Sequence, residues 1–472
     1  MSVVKRIVKN TGFLLLGRIL TKVISLFSVI FIVRYLGDIG YGKYAFAFAF
    51  VSFFTIISEF GMHSILVREV SRFPAKAPQL LGNAMLISAF FSLIAFVLAI
   101  LSVNLFKYPE ETVMLVKIAS LILIFGMMYP FGVIYETELK MKYSVFFGLI
   151  SRVFLIFSIL YVTKNDYGLN WLVLVTVMSD GIHYFLMAIY SRKFVLPVFK
   201  YDWGICRFLL KESLPLAFSS VFLIIYFRID VVMLSLMKGD ADVGIYSSAY
   251  RITEAFIFIP STLMVSVFPF MSKYYSGNNN TLYHVYLKSF KVLFTIALPL
   301  ALAISYFSNE IIDILYGGAV QGASITLQIL IWATAVIFIN FSLGQFLVSV
   351  NKQRVTTAST AICALFNIIL NYFMIPLWGY NGAAISTVAT EVISLFIMLY
   401  YMNSSISVLK IINEIKYILF ITSISFLLFL IFDLYFNVLL SFLVAILIYI
   451  YSMYSLGGLN MDDKLLVRKL FK

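Results

Sequence analysis

The sequence predicts an all-α membrane protein that crosses the bilayer about fourteen times. Of its 472 residues, 62% are hydrophobic and only 12% are charged, whereas soluble domains carry roughly 45–50% apolar and about 25% charged residues. Apolar runs of about 20 residues, each long enough to cross a hydrocarbon core of about 30 Å as a helix, recur from end to end. This composition excludes a soluble enzyme and a disordered chain. With only two cysteines, a secreted disulfide scaffold is excluded as well.

Fourteen apolar segments account for this count. The first half of the chain contains six, at residues 11–33, 43–67, 80–103, 113–135, 143–162 and 170–190. Six more lie at residues 213–237, 246–270, 287–307, 325–349, 355–375 and 382–402, and two additional segments follow at 413–433 and 436–456. The first segment contains Arg18 and Lys22 and is not followed by a small-residue cleavage site, so we predict a retained helix rather than a removed signal peptide.

The chain also contains an internal repeat. The pattern Gly-Asp-x-x-x-Gly-x-Tyr begins at Gly37 and again at Gly239, an offset of 202 residues. A second match, at an offset of 211, pairs Gly168 with Gly379 and Asp180 with Glu391. The repeat predicts two six-helix lobes, at 1–190 and 213–402. A cytoplasmic linker with an amphipathic helix (191–212) joins them, and two additional helices with a basic cytoplasmic tail (403–472) follow.

The basic residues predict that both termini are cytoplasmic. With this orientation the inner segments hold 24 of the 35 Lys and Arg residues, and the outer loops hold five: Arg34, Lys43, Lys107, Lys164 and Lys238. Short cytoplasmic loops of membrane proteins are enriched in these residues. Much of the net charge of +13 therefore faces the lipids of the cytoplasmic leaflet. We predict a multi-pass protein of the cell membrane, and the positive charge does not indicate binding to nucleic acid.

Several charged side chains fall within the apolar spans, where an ionised group costs about 2.5–3.5 kcal/mol at the bilayer centre. Arg18 and Lys22 are four residues apart and share a helix face with no acid within a turn. Two like charges on one face favour a cavity that binds an anion over a structural role. Arg152 and Arg228 are further candidates for this cavity.

Two other charged sets have structural alternatives. Arg152 and Asp180 lie at similar depth on consecutive spans, and both a structural ion pair and a functional pair remain open. Arg251 and Glu254 are three residues apart on one helix face, which favours a neutralised structural pair.

Oxygen-bearing side chains in the second half predict a site for a coupling cation. A hard monovalent cation prefers several oxygen ligands and few charges. The candidate ligands are Asp230, Asn367, Asn371 and Thr387, with the backbone carbonyl of Ala383. Sodium is the predicted ion, although proton coupling through Asp230, Asp180 or Glu391 remains open, as does a plain ion pair of Asp230 with an arginine.

No motif of a cofactor-dependent or nucleotide-driven enzyme is present. The sequence has no GxxxxGK[ST] motif, and its longest polar stretch is about twenty residues. We therefore expect no cofactor beyond the coupling ion, and no ATP-driven pump within this chain. A membrane-embedded glycan polymerase or glycosyltransferase is disfavoured because the outer loops are short.

Family-like motifs are concentrated between Asn10 and Arg72. They are Gly17-Arg18 in the first span, Tyr35-Leu36-Gly37 with Gly42 and Tyr44 before the second, and Phe60-Gly61 with Leu66-Val67-Arg68-Glu69 at its end. Together with the turn GYNGAAIST at 379–387, these motifs resemble those of the polysaccharide biosynthesis proteins that flip lipid-linked oligosaccharides (Wzx-like proteins). These proteins form a branch of the multidrug, oligosaccharidyl-lipid and polysaccharide exporter superfamily.

The resemblance implies a V-shaped pair of six-helix lobes that opens a central cavity to alternate sides of the membrane. It implies a flippase, not an enzyme, that carries a glycan on a polyprenyl phosphate or diphosphate to the outer leaflet, driven by an antiporter-like ion coupling. In such a protein Arg18, Lys22, Arg152 and Arg228 would bind the phosphate. The partners would be the polyprenyl-linked glycan, membrane lipids and other polysaccharide assembly proteins.

Two details of the resemblance concern the second half. The set around Asp230 is similar to the sodium site of the peptidoglycan-precursor flippases, except that Asn371 stands where that branch tends to have a second acid. In those flippases the two additional helices are associated with a groove for the lipid tail. A multidrug or small-molecule exporter of the same fold is the alternative, but a cation exporter should have an acidic cavity, which the arginines above argue against.

Overall fold

The computed structural model describes residues 3–275, 279–403 and 408–455, without the side chains of 3–16, 18, 274, 279, 280, 408–414, 439 and 455. The described part contains sixteen α-helices and no strand. Their bounds are α1 Val3–Glu59, α2 Met62–Arg72, α3 Ala77–Leu105, α4 Glu110–Phe125, α5 Phe131–Thr137, α6 Met141–Lys164, α7 Leu169–Ser191, α8 Trp203–Met237, α9 Asp240–Phe256, α10 Phe258–Tyr275, α11 Asn279–Tyr306, α12 Ser308–Tyr316, α13 Ala323–Ser349, α14 Gln353–Asn403, α15 Val408–Asp433 and α16 Val438–Ser455.

The predicted class, an all-α polytopic membrane protein, is confirmed. Eleven helical stretches among the described residues are long and apolar enough to cross a membrane. Two of them contain a kink at a glycine with positive φ, Gly37 in α1 (φ 67°) and Gly379 in α14 (φ 52°). Each kink separates two of the predicted spans. The number fourteen stays a prediction.

Glycine occupies the kinks because the left-handed backbone region is unfavourable for residues with a Cβ. The four glycines matched by the repeat all have positive φ: Gly37 (67°), Gly168 (84°), Gly239 (92°) and Gly379 (52°). Each of them directly precedes helical residues. The internal repeat is therefore visible in the backbone as well as in the sequence.

The helices pack into two compact units. The first consists of Met1–Phe258, Asn309–Thr326 and Thr360–Thr387, and the second of Ile259–Ser308, Leu327–Ser359 and Val388–Lys472, as far as these ranges are described. Glu391 is the only candidate site residue in the second unit. The division into lobes at 1–190 and 213–402 stays a prediction.

The linker between the two predicted lobes contains the start of a long helix. α7 ends at Ser191 and α8 begins at Trp203, capped by Asp202, whose Oδ1 accepts a hydrogen bond from the backbone N–H of Ile205 (3.1 Å). α8 then continues to Met237 with Pro215 inside it. The amphipathic segment predicted for this linker therefore continues without a break into the seventh predicted span.

Candidate functional site

A buried carboxylate lies at the centre of a polar network in the first unit. Asp230 on α8 is only 3% exposed. Its Oδ2 accepts hydrogen bonds from the hydroxyls of Tyr246 (2.7 Å) and Thr387 (3.0 Å), and its Oδ1 accepts one from Nδ2 of Asn371. The same Nδ2 donates to Oδ1 of Asn367 (2.9 Å). The structure thus brings together all four side chains predicted from the sequence and adds Tyr246.

Three helices supply these groups. Asp230 comes from α8 and Tyr246 from α9, while α14 contributes residues on both sides of its kink at Gly379. Before the kink, Asn367 and Asn371 are one turn apart and therefore share a face. After it, the Thr387 hydroxyl also lies 2.9 Å from the carbonyl oxygen of Ala383. The kink is what allows one helix to contribute from two directions.

The chemistry of this network fits a hard cation. Oδ1 of Asn371 is buried and has no hydrogen-bond partner among the described residues. No lysine or arginine whose side chain is described pairs with Asp230, so the alternative of an ion pair with an arginine finds no support. A buried charge without a counter-charge is costly. A half-turn of the Asn371 amide would replace its donor with an oxygen at this carboxylate.

Positive charge is in excess around Glu254 on α9. Arg251 Nη1 lies 2.8 Å from Oε2 of this glutamate, which confirms the predicted pair. However, Nη2 of Arg228 on α8 lies 3.5 Å from Oε1 of the same carboxylate. Lys22 on α1 is exposed and close enough to act on Glu254 electrostatically. Two arginines therefore share this one acid, with a lysine nearby, so the predicted pairing is present but its predicted neutrality is not.

The predicted anion-binding residues have different surroundings. Lys22 and Arg228 share the neighbourhood of Glu254, together with Arg251, which was not among the predicted anion-binding residues. Arg152 pairs instead with Asp180 (Nη2 to Oδ1, 3.0 Å), a contact that fits both the structural and the functional alternative. The side chain of Arg18 lies outside the described part of the chain. Their roles stay predictions.

Glu391 is held by an asparagine in the second unit. It is 3% exposed, and Nδ2 of Asn340 on α13 donates to its Oε2 (2.8 Å) and to its backbone carbonyl (3.0 Å). Its counterpart in the repeat, Asp180, is bound to Arg152. The two repeat-related acids therefore have chemically different partners.

The second unit also contains an apolar groove between α11, α15 and α16. Its lining is mostly aromatic and aliphatic and includes Phe307, Phe426, Phe429, Phe442, Ile446 and Tyr449. A lining of this kind suits an apolar ligand better than a polar one.

Known proteins share both the sequence pattern and the fold. The sequence pattern of the polysaccharide biosynthesis protein family matches residues 7–275, and that of the MatE family matches residues 215–373. The probable low-salt glycan biosynthesis flippase Agl15 of Haloferax volcanii is 26% identical over 184 residues. This match covers 39% of this chain and 39% of Agl15, so the chain spans well under two thirds of that relative's length.

Two solved structures have the same fold. The lipid II flippase MurJ, in an inward closed conformation, superposes with a TM-score of 0.77 at 18% identity, covering 97% of this chain and 99% of MurJ. An inward-facing multidrug resistance MATE family transporter gives a TM-score of 0.68 at 16% identity, covering 82% of this chain and 94% of the transporter. The expected resemblance is confirmed. Because the family pattern covers more than half of its length, the chain belongs to the polysaccharide biosynthesis protein family.

Proposed function

We propose that this chain flips an oligosaccharide linked to a polyprenyl phosphate or diphosphate from the cytoplasmic to the outer leaflet of the cell membrane. At the coarser level, the family and the fold make it a multi-pass transport protein and not an enzyme. The observation that carries the finer proposal is the excess of positive charge at Glu254, formed by Lys22, Arg228 and Arg251.

A phosphate or diphosphate is the anion that suits this cluster. The arginine guanidinium is planar and can bind two oxygens of a phosphate at once, and charge-assisted hydrogen bonds of this kind are among the strongest in proteins. Glu254 supplies a counter-charge when no anion is bound. Its contact with Arg228 (3.5 Å) is longer than its contact with Arg251 (2.8 Å), so we infer that an entering phosphate takes Arg228 first.

The glycan and the polyprenyl chain of such a cargo need different surroundings. The glycan is too polar to cross hydrocarbon without hydrogen-bonding partners, and in this proposal polar side chains along the transport path supply them. The apolar groove of the second unit matches the polyprenyl chain. Consistent with this assignment, Agl15 is described as a flippase of glycan biosynthesis and MurJ as a lipid II flippase.

The second candidate function is export of drugs or other small molecules. The structural similarity to a multidrug resistance MATE transporter supports it. A cationic drug needs an acidic surface, however, and the acid at this cluster, Glu254, is outnumbered by the three cations around it. The anionic cargo is therefore the better match.

We further propose that sodium bound at Asp230 couples to transport. The supporting observations are the unpaired Oδ1 of Asn371 and the lack of an ion pair to Asp230 among the described side chains. Proton coupling through Asp230, Asp180 or Glu391 is the alternative outcome of the same experiments.

Flipping can be measured in vesicles that contain the purified protein. We expect a fluorescent disaccharide on a polyprenyl diphosphate to become accessible to an impermeant quencher much faster than in protein-free vesicles. The same glycan on an uncharged polyprenyl ether, which lacks the phosphate, should not be accelerated. Transport of a quaternary ammonium dye without flipping of the glycan lipid would instead establish the drug-export alternative.

The predicted orientation has its own test. Single cysteines at Ser2, Asp240 and Asn278 are introduced after Cys206 and Cys363, both buried, are replaced with alanine. In intact cells we expect an impermeant thiol reagent to label Asp240→Cys and not the other two, because Ser2 and Asn278 fall in segments predicted to be cytoplasmic. Labelling of either from outside would reverse the predicted topology.

A further inference from the structure

The two copies of the internal repeat contact each other directly within the first unit. A methyl group at Gly42 on α1 would fall 1.8 Å from the carbonyl oxygen of Asp240 on α9. A methyl group at Gly244 on α9 would fall 1.9 Å from the carbonyl oxygen of Asp38 on α1. Both obstacles are backbone atoms, so a side chain at either glycine requires the helices to separate. We call this contact the α1–α9 crossing.

The crossing is reciprocal. Gly42 and Gly244 are related by the offset of 202, and so are Asp38 and Asp240. The glycine of each copy therefore packs against the backbone of the aspartate in the other copy. A contact of this kind has a local two-fold symmetry, and it lies where the sequence predicts the outer ends of these helices.

Behind the crossing, each half contains the same tyrosine–threonine hydrogen bond. Two residues after the glycine, the hydroxyl of Tyr44 lies 3.0 Å from that of Thr176, and the hydroxyl of Tyr246 lies 3.1 Å from that of Thr387. The two threonines are related by the offset of 211 found for the later part of the repeat. The halves thus share this part of the architecture.

The two halves differ in the other hydrogen-bond partners of the tyrosine hydroxyl. In the second half the Tyr246 hydroxyl donates to Asp230 (2.7 Å). The counterpart of Asp230 at the offset of 202 is Ser28, whose hydroxyl instead donates to the carbonyl of Ile24 in its own helix (3.0 Å). Among the described side chains, Tyr246 therefore connects the crossing to a buried carboxylate, whereas its counterpart Tyr44 bonds to a threonine.

We propose that Tyr246 is a positioning residue that couples a cation at Asp230 to the α1–α9 crossing, so that cation binding holds the crossing closed. This inference rests on the cation site proposed above. A bound cation fixes the carboxylate, and the carboxylate fixes the Tyr246 hydroxyl. Gly244 is two residues earlier on the same helix, about 3 Å along its axis, so holding Tyr246 fixes this end of α9 against α8. Because α8 itself packs against α1, α9 is then kept in place at the crossing.

The test uses a cysteine reporter at the crossing. Ser247 is 7% exposed, lies three residues after Gly244 on the same side of α9, and its hydroxyl has no hydrogen-bond partner among the described residues. Ser247→Cys is therefore a conservative change, made in the background without Cys206 and Cys363. An impermeant thiol reagent should label this cysteine roughly tenfold more slowly in sodium than in choline at fixed pH. This factor corresponds to the free energy of one hydrogen bond to a charged group, which must break before the crossing opens.

A second measurement separates the coupling from the cation site. The midpoint of thermal unfolding in the same two salts reports cation binding without reference to the crossing. For Tyr246→Phe the sodium concentration is raised until its own midpoint no longer rises, and at that concentration we expect labelling no longer to be slowed. The matched control is Tyr44→Phe, which removes the equivalent hydrogen bond of the first half and should keep the full sodium effect on labelling.

The outcomes are distinguishable. If Tyr246→Phe keeps the full sodium effect on labelling, the coupling proposal is wrong although the cation site stands. If sodium changes neither quantity in the parent protein, the cation site is wrong and the coupling with it. Should Tyr246→Phe not fold, Gly244→Ala tests the same proposal, because its methyl group separates the helices. Because coupling is reciprocal, this variant should need roughly tenfold more sodium than the parent for the same rise in the midpoint, and an unchanged sodium requirement would contradict the proposal.

Discussion

We expect Arg228→Glu to abolish flipping of the phosphate-linked glycan, while Arg228→Gln retains a reduced rate. Glutamine removes one cation from the cluster around Glu254, whereas glutamate also adds a second acid to it. A hydrogen bond to a charged group contributes about 1.5–3 kcal/mol, and each 1.4 kcal/mol corresponds to about a tenfold change. The expected losses are therefore about tenfold for glutamine and at least about a hundredfold for glutamate.

The vesicle assay with the fluorescent glycan lipid measures this series. Arg207 is an exposed arginine on the same helix, so Arg207→Glu is a matched control that should change the rate less than twofold. Equal rates for the two Arg228 variants would mean that the side chain acts through shape and not through charge. The cargo assignment at Glu254 would then be wrong.

The sequence was sufficient where local chemistry decides structure. Long apolar runs in lipid must be helical because their backbone groups have no other partner. The repeat matches Gly37 with Gly239 and Gly379 with Gly168. All four glycines adopt the positive φ that glycine permits. The clustering of polar side chains at Asp230 was predictable for a related reason, since Asn367 and Asn371 are one turn apart and carry oxygen, whereas their role as cation ligands stays a prediction.

The remaining features depend on contacts between distant segments. Arg251 and Glu254 form the pair that their spacing predicts, but Arg228, 26 residues before Glu254, shares the carboxylate and changes the charge balance. Spacing within one helix cannot reveal a partner on another. Tyr246 was missed as part of the Asp230 site for the same reason. The only signal was its place in the repeat, opposite Tyr44.

Sodium should stabilise the parent protein and not Asp230→Asn. A ligand present at a hundred times its dissociation constant stabilises the folded state by about 2.7 kcal/mol, which corresponds to a rise of several degrees in the unfolding midpoint. Asparagine keeps the shape of the side chain but removes the charge that attracts the ion. The measurement is thermal unfolding in sodium against choline at fixed pH.

Two controls identify the coupling ion. Asp180→Asn changes an acid already paired with Arg152 (3.0 Å), and Glu391→Gln changes one bonded to Asn340 (2.8 Å), so both variants should keep the sodium response. If either loses it, the coupling site has been placed at the wrong acid. If no protein responds to sodium, but the pH dependence of the parent's unfolding midpoint is lost in one of the three variants, the coupling ion is a proton bound at that acid.

A second substitution at the same site, Asn371→Asp, should increase its affinity for the cation. Asn371 donates to Asp230 through Nδ2, so Asn371→Asp would place two carboxylates in direct contact inside the membrane. Their repulsion is relieved only by a cation or a proton between them. We therefore expect Asn371→Asp to be less stable than the parent in choline and to gain more from sodium. An equal loss of stability in both salts would show that the contact is structural and that no cation binds beside Asp230.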